Sequence, residues 1–210
     1  MAPVHQTEVI LLGAIQRVIR TRHPGLAVTH AAMGSPRRAE GEAFIAGIFR
    51  RRYAAELHAF APNLVLLEAG ERICAAAGWR CAGAAPLFLE TYLDRPVEAA
   101  IGHVAGHPVP RERIVEVGNL ASDQPGGSID VILAMARHLD GLGYEWVVFT
   151  ATRELIGIFR RLGLPPLALA SADPDRLGAG ADDWGSYYAS EPVVVAGRIR
   201  LALERAQRCG

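Results

Sequence analysis

Apolar positions recur along this chain in two periods, and the switches between them predict its elements. Ile10, Ala14 and Val18 stand four apart with Arg17, Arg20 and Arg22 among or after them, a short amphipathic helix over about 8–22 that His23-Pro24-Gly25 ends. Leu26 to Ala31 is a candidate strand. Between Ser35 and Phe60, Phe44, Ile45, Ile48 and Phe49 form one stripe that Tyr53 and Leu57 continue, with the arginines mostly opposite. That pattern predicts a long helix packed on something flat. Asn63 to Glu68 and Arg72 to Cys81 are strand-like runs joined by Ala69-Gly70-Glu71, which predicts an antiparallel hairpin.

The second half alternates more regularly. Leu87 to Gly106 is helical in pattern and is split by Pro96. Arg113 to Ala121 reads as a strand, and Ser128 to Gly143 as a helix with Ile129, Ile132, Leu133, Ala136 and Leu139 on one face, Ser128 at its cap and Gly141 and Gly143 at its end. Glu145 to Ala151 is an almost unbroken apolar run, as in a central strand. A helix on TRELIGIFRRLG follows, then a strand on PPLALA that its prolines confine to a turn or edge. Ser171 to Asp183, rich in Asp, Gly and Pro, reads as a surface loop, and Trp184 to Ile199 carries a last strand centred on PVVVAG. Strands alternating with helices around a hairpin give an α/β fold, or α+β with a mixed sheet and helices on both faces.

Composition narrows the class. The 210 residues suit one domain, and half of them are hydrophobic, which excludes disorder. Lys+Arg and Asp+Glu are equal at 22, so no overall positive field is available to hold nucleic acid and a small partner is expected. The three cysteines, Cys74, Cys81 and Cys209, are too few and scattered for a disulfide framework and fit a reducing cytoplasm. The apolar run Val9 to Ile15 is preceded by Glu8, a poor signal peptide and too short to span a bilayer.

One stretch carries candidate chemistry. EVGNLASDQPGGS, Glu116 to Ser128, passes from strand to helix through a Gly-Gly turn. Amides at a helix start, brought close by glycines, can converge on a phosphate, and the same residues can equally form a plain turn. The chain has neither GxxxxGK followed by Ser or Thr nor GxGxxG, which disfavours a P-loop or Rossmann site.

Taken together with Pro62 to Glu68, Ala75 to Ala82, Pro86 to Glu98, Arg113 to Ser122, Trp146 to Thr152, Arg161 to Leu164 and Trp184 to Tyr188, this stretch resembles the thermostable hemolysin family. Members of that family look like acyltransferases of the GNAT superfamily and, more distantly, the acyl-homoserine-lactone autoinducer synthases. The resemblance implies a single GNAT-like domain over 1–210 in which parallel strands 113–121 and 145–151 splay apart. It implies a donor arm in that cleft, with pyrophosphate on amides from Asp123 through Gln124, Gly126 and Gly127 to Ser128. These residues match the superfamily pattern (R/Q)xxGx(G/A) only loosely, so the thioester donor is coenzyme A or acyl carrier protein. The implied reaction moves an acyl or acetyl group to a small amine acceptor by direct attack, with no metal.

Direct attack needs a neutral amine, a polarised carbonyl and a proton for the leaving thiolate. Regular alternation puts Glu116 on one strand face with Gly118 and Leu120, and Val117, Asn119 and Ala121 on the other. Glu116 is a candidate base, or the ion-pair partner of Arg80 or Arg113; Asn119 orients the acceptor or pantetheine, or mends a bulge. The resemblance makes the amides around Leu120 and Ala121, beside Ser122, donors to an oxyanion. Thr150 and Thr152 end the next strand where α/β ligands bind, and Thr152 is also the natural cap of its helix. Tyr187 or Tyr188 supplies the thiolate proton by resemblance, or fills core. Glu90 and Asp94, four apart, meet the amine or form salt bridges, and Phe88 and Trp184 line the substrate pocket.

Competing classes remain. His103 and His107 lack HExxH and a nearby third ligand, which disfavours a metal site. Arg50 to Arg52 is a solvated helix face or a landing surface for an acidic carrier protein. A membrane-lytic protein calls for a long amphipathic surface, of which the neutral charge and proline-broken helices give little sign, so no stable membrane insertion is expected. A GNAT-like domain that binds acyl-coenzyme A without turnover is the third class. The oligomer stays open between monomer and homodimer.

Overall fold

The computed structural model describes residues 26–123, 127–161 and 163–208, so the helix expected over about 8–22 lies outside the described residues. A seven-stranded sheet forms the middle, in the order β1-β2-β3-β4-β5-β7-β6. Its strands are β1 (Ala27–Ala32), β2 (Asn63–Ala69), β3 (Arg72–Cys81), β4 (Ile114–Ser122), β5 (Trp146–Ala151), β6 (Leu167–Ser171) and β7 (Val193–Arg198). Every neighbouring pair is antiparallel except β4 with β5. The architecture is the mixed α/β sheet expected from the sequence, and the PPLALA strand takes the edge that its prolines favour.

Helices cover both faces because the strands carry apolar residues on both. On one face Leu64 and Leu66 of β2 pack with Ile45 and Phe49 of α1 (Arg38–Tyr53). Further along that face Ile114, Trp146 and Val148 pack with Val97 and Ile101 of α2 (Val97–Ala105). On the other, Val65 and Leu67 meet Val131, Met135 and Leu139 of α3 (Gly127–Gly141) and Ile199 of α5 (Ile199–Arg208). Phe149 and Val195 there meet Leu155, Ile156 and Phe159 of α4 (Arg153–Arg161).

Local chemistry sets the boundaries. Pro96 stands at the cap of α2, and Gly106 closes it in the left-handed region at φ 76°, its N–H bonded to Gly102 O at 3.0 Å. The split expected at Pro96 is therefore present, with a 3-10 helix, Phe88–Tyr92, before it.

Three sequence expectations need correction. The helix expected to reach Phe60 stops at Tyr53, where Ala54 turns left-handed at φ 54°. The apolar stripe continues in Leu57 and Phe60 because those residues pack into the same cluster without being helical. The expected loop before Asp183 contains 3-10 turns over Pro174–Trp184, started by Asp173, whose carboxylate accepts the Asp175 N–H at 3.0 Å. Helix α5 has no counterpart among the sequence-derived elements, although Ile199 and Leu203, four apart, both face the core.

Candidate active site

Strands β4 and β5 stay in register for only three residue pairs, Ile114 with Trp146, Val115 with Val147 and Glu116 with Val148. Past that point β4 remains on β3 up to Ser122, while β5 remains on β7 up to Ala151, so the two splay. Just past the last pair β4 carries a bulge. Between Ala76 and Gly78, β3 advances two residues while β4 advances three, from Gly118 to Ala121. A bulge sharpens twist and turns its strand aside. Asn119 occupies the left-handed region there at φ 52°, and its Oδ1 accepts the Ala61 N–H at 3.1 Å. The reading in which this Asn mends a bulge describes its position.

The extra residue also breaks the expected alternation. Leu120 packs beside Val115 and Val117 against the α3 layer, and Ala121 packs against the α1 layer. Glu116 therefore does not share a face with Leu120, because the bulge inverts the period of two after Gly118.

The splay opens a cleft of about 480 Å³ that reaches into both layers. One half is lined by aromatic and charged groups, chiefly Phe88, Tyr92, Trp184, Tyr188, Arg80 and Glu116. The other half is apolar, lined by Val117, Leu120, Met135, Val147, Phe149 and Ile199.

Glu116 is 7% exposed, and its carboxylate accepts the N–H of Phe88 at 2.9 Å and of Leu89 at 3.1 Å. It thereby anchors the start of the 3-10 helix Phe88–Tyr92. Arg80 lies directly across from it in register, with Nε 3.4 Å from Glu116 Oε2. Burial pushes the Glu116 carboxyl above its ordinary value, against the opposing pull of Arg80 and the two N–H groups. Of the two ion-pair partners considered from sequence, Arg80 is the one in place; Arg113 instead bonds Gly143 O at 2.6 Å.

The Tyr188 hydroxyl is 2.5 Å from that of Tyr92, and burial raises both phenols above their ordinary value. Tyr187 is buried among Phe49, Tyr53, Trp184 and Tyr188. Phe88 and Trp184 face each other across the aromatic half, ring centroids 5.7 Å apart.

The other candidates separate into those that reach the cleft and those that do not. Leu120, Asn119, Thr150 and Thr152 line it. Thr152 also caps α4, its Oγ1 accepting the Leu155 N–H at 3.3 Å. Ala121 is buried, and Ser122 pairs with Ala75. The Asp123 N–H is bonded to Cys74 O at 3.1 Å and its carboxylate to Arg72 at 2.7 Å, which removes this amide from the expected phosphate seam. Gln124 and Gly126 lie outside the described residues, and α3 begins at Gly127, one residue before the expected cap Ser128.

Glu90 and Asp94 do not line the cleft and share no helical face, since the 3-10 helix ends at Tyr92. Glu90 takes both Arg111 Nη groups at 2.7 Å together with the N–H groups of Leu87 and Val97, which hold its pKa down at about 2. Asp94 pairs with Arg176. Among the described residues no group of three His, Cys, Asp or Glu side chains is placed to hold a metal. Sequence reasoning missed Arg80 as a lining residue and missed Tyr92; the alternation of β3 opposite Glu116 is a signal for the first, and nothing in sequence links Tyr92 to Tyr188.

A family model described as thermostable hemolysin matches residues 31–203. No curated protein sequence matches the chain. Among solved structures it is similar to FeeM, an N-acyl amino acid synthase from uncultured soil microbes, at TM-score 0.57 and 12% identity over 85% of this chain and 94% of that one. The acyl-homoserine-lactone (AHL) synthase LasI aligns at TM-score 0.57 and 13% identity over 85% and 94% of the two chains. The CoA-dependent acyl-homoserine lactone synthase BjaI aligns at 0.58 and 13% over 88% and 89%. At such identities the likeness shows a common fold, a GNAT-like sheet with splayed central strands.

Proposed function

The chain belongs to the thermostable hemolysin family, and we propose that it is an N-acyltransferase carrying an acyl group from a coenzyme A or acyl-carrier-protein thioester to a small amine. The observation that carries this reading is the cleft at the splay of β4 from β5, apolar in one half and aromatic and charged in the other. An acyl chain suits the apolar half, and an amine suits the half that holds Glu116. The fold-level likeness to synthases whose products carry acyl groups supports the same assignment.

In this reading the amine nitrogen attacks the thioester carbonyl carbon, the C–S bond breaks, and the amide forms without a covalent enzyme intermediate. Glu116 takes the proton lost by the ammonium group, a role suited to a carboxyl raised by burial. Tyr188 gives a proton to the leaving thiolate, and the second proton of the attacking nitrogen, shed as the amide forms, restores the hydrogen-bonded Tyr188–Tyr92 pair. The bulge leaves backbone groups near Leu120 outside the regular ladder, where an N–H can meet the developing oxyanion. Thr150 and the α4 start near Thr152 line the donor's path, and Gly127 and Ser128 at the start of α3 remain the proposed anion seat.

Native mass spectrometry with coenzyme A, acetyl-, octanoyl- and decanoyl-coenzyme A and acyl carrier protein tests this directly, followed by product analysis with an amine panel. Association of a donor and release of its thiol only when an amine is supplied are expected. If no donor associates and the protein instead empties dye-loaded liposomes, the acyl-transfer reading is overturned.

A further inference from the structure

Resting on the acyl-transfer reading, we infer that the acceptor is an α-amino acid, its carboxylate held by Arg80 and its side chain lying against Phe88, Trp184 and Tyr188. Arg80 is the only Lys or Arg among the described residues that line the cleft. Its side chain is 30% exposed, and its contact with Glu116 is an ion pair at 3.4 Å through Nε alone. Glu116 is meanwhile held by the Phe88 and Leu89 N–H groups, so the carboxylate stays fixed whether or not the guanidinium faces it squarely. A guanidinium placed in this way offers a planar fork to a second carboxylate.

That second anion belongs to the acceptor and not to the donor's phosphates. The proposed phosphate seat follows Ser122, which is opposite Ala75, five residues along β3 from Arg80 and about 17 Å away at the rise of a strand. Arg80 sits instead where β4 and β5 are still paired, beside the group that takes the amine's proton. Exposed Glu56 and Asp183 add negative charge to the same cleft and draw in an ammonium group. An ammonium and a carboxylate on one small molecule satisfy both sets of charges. The remaining surface of this half is aromatic, with the Trp184 ring edge-on to that of Tyr188 at 6.2 Å and tilted against that of Phe88 at 5.7 Å. Such a wall favours a flat apolar side chain.

Matched acceptors decide the question. L-phenylalanine, phenethylamine, which lacks only the carboxylate, and L-alanine, which lacks the ring, are titrated calorimetrically into the full chain with and without coenzyme A. The same three are compared by kcat/KM with the donor that associates. L-phenylalanine is expected to exceed phenethylamine by about tenfold to a hundredfold, the usual worth of a hydrogen bond to a charged group, and to exceed L-alanine as well. Arg80→Gln is expected to remove the gap between L-phenylalanine and phenethylamine, and Arg80→Lys to restore part of it. Equal binding of the two, binding of neither, or a gap that survives Arg80→Gln in a protein with unchanged circular dichroism overturns the inference. Donor association without amino-acid preference leaves acyl transfer standing, whereas failure of every donor overturns acyl transfer regardless of what amino acids do.

Discussion

At the scale of single residues, Glu116 shows two opposed influences with a readable outcome. Burial at 7% exposure favours the neutral acid, while Arg80 and two N–H groups favour the carboxylate, and the net effect is upward. A base works only when deprotonated, so kcat/KM is expected to fall as pH drops through a pKa above the ordinary carboxylate value. Replacing Glu116 with Gln is expected to lower kcat by about a hundredfold, the usual share of a general base, and to remove that acidic limb. A pH–rate profile measured on both proteins checks this; an unchanged limb in the variant rules Glu116 out as its source. Tyr188→Phe removes the proposed donor to the thiolate, so its effect is expected to shrink when the leaving thiol is made more acidic. A series of thioesters of graded thiol pKa provides that measurement, and a constant deficit across the series assigns Tyr188 to packing.

At the scale of elements, the cleft depends on two backbone irregularities. The first is the bulge at Asn119, just past the last pair of β4 with β5. Asn119→Ala loses the bond to the Ala61 N–H and leaves a non-glycine residue at φ 52° without its local support, an expected cost of about 1–2 kcal/mol in urea unfolding. The second is the segment 183–190, which closes the aromatic half by bonding the chain that leaves α1. Asp183 O accepts the Glu56 N–H at 2.7 Å, and Tyr53 O accepts the Ser186 N–H at 2.8 Å. Between them Gly185 has φ 52° and lies so close to Tyr53 that a Cβ would run into its carbonyl oxygen. Gly185→Ala is therefore expected to push the segment outward, weakening acceptor binding while donor binding persists. Parallel titrations of donor and acceptor test the split, and equal losses of both contradict it. Most of the sheet was legible because its signals are local: the apolar run of Trp146–Ala151 marks a central strand, and Gly70 between two apolar runs marks the hairpin of Asn63–Ala69 with Arg72–Cys81. The bulge was legible only as one of two readings of Asn119, since one left-handed Asn leaves the surrounding composition unchanged and does not show that the alternation inverts after it. The residues gathered at Glu116 were only partly found: Phe88, Trp184 and Tyr188 were named as site residues and Arg80 as one of two ion-pair partners, whereas Tyr92 becomes a neighbour of the site only once the 3-10 helix is in place.

At the scale of the whole molecule, both layers that enclose the cleft are held by groups sensitive to acid. In the α3 layer, His138 stacks on His30 of β1 at 3.9 Å and meets the edge of Trp79 of β3 at 5.6 Å. Burial, and to a lesser degree His30, lowers its pKa from 6.5 to about 4. In the opposite layer, Glu90 ties the 3-10 helix Phe88–Tyr92 and the start of α2 to Arg111, with its pKa lowered from 4.5 to about 2. Both groups bind fewer protons folded than unfolded, so each stabilises the fold above its unfolded pKa and loses that contribution as pH falls toward its folded one. Stability is accordingly expected to decline in two successive steps, from 6.5 to about 4 through His138, with burial of His30 acting in the same direction, and from 4.5 to about 2 through Glu90. Partial exposure screens both groups, so each step is worth about 1–2 kcal/mol and not the full value of its shift. Urea unfolding at half-unit intervals between pH 7 and pH 2 reads the two steps, and His138→Phe is expected to flatten the first while leaving the second. A flat curve between 6.5 and 4 in the parent protein, or a variant with the same slope there, refutes the assignment to His138. Because Glu90 supports the helix whose N–H groups anchor Glu116, its step carries a further consequence for activity. Glu90→Gln is expected to cost about 2 kcal/mol, less than a fully buried pair because solvent reaches Arg111, and to weaken catalysis through a displaced Glu116 although Glu90 itself never meets the substrate.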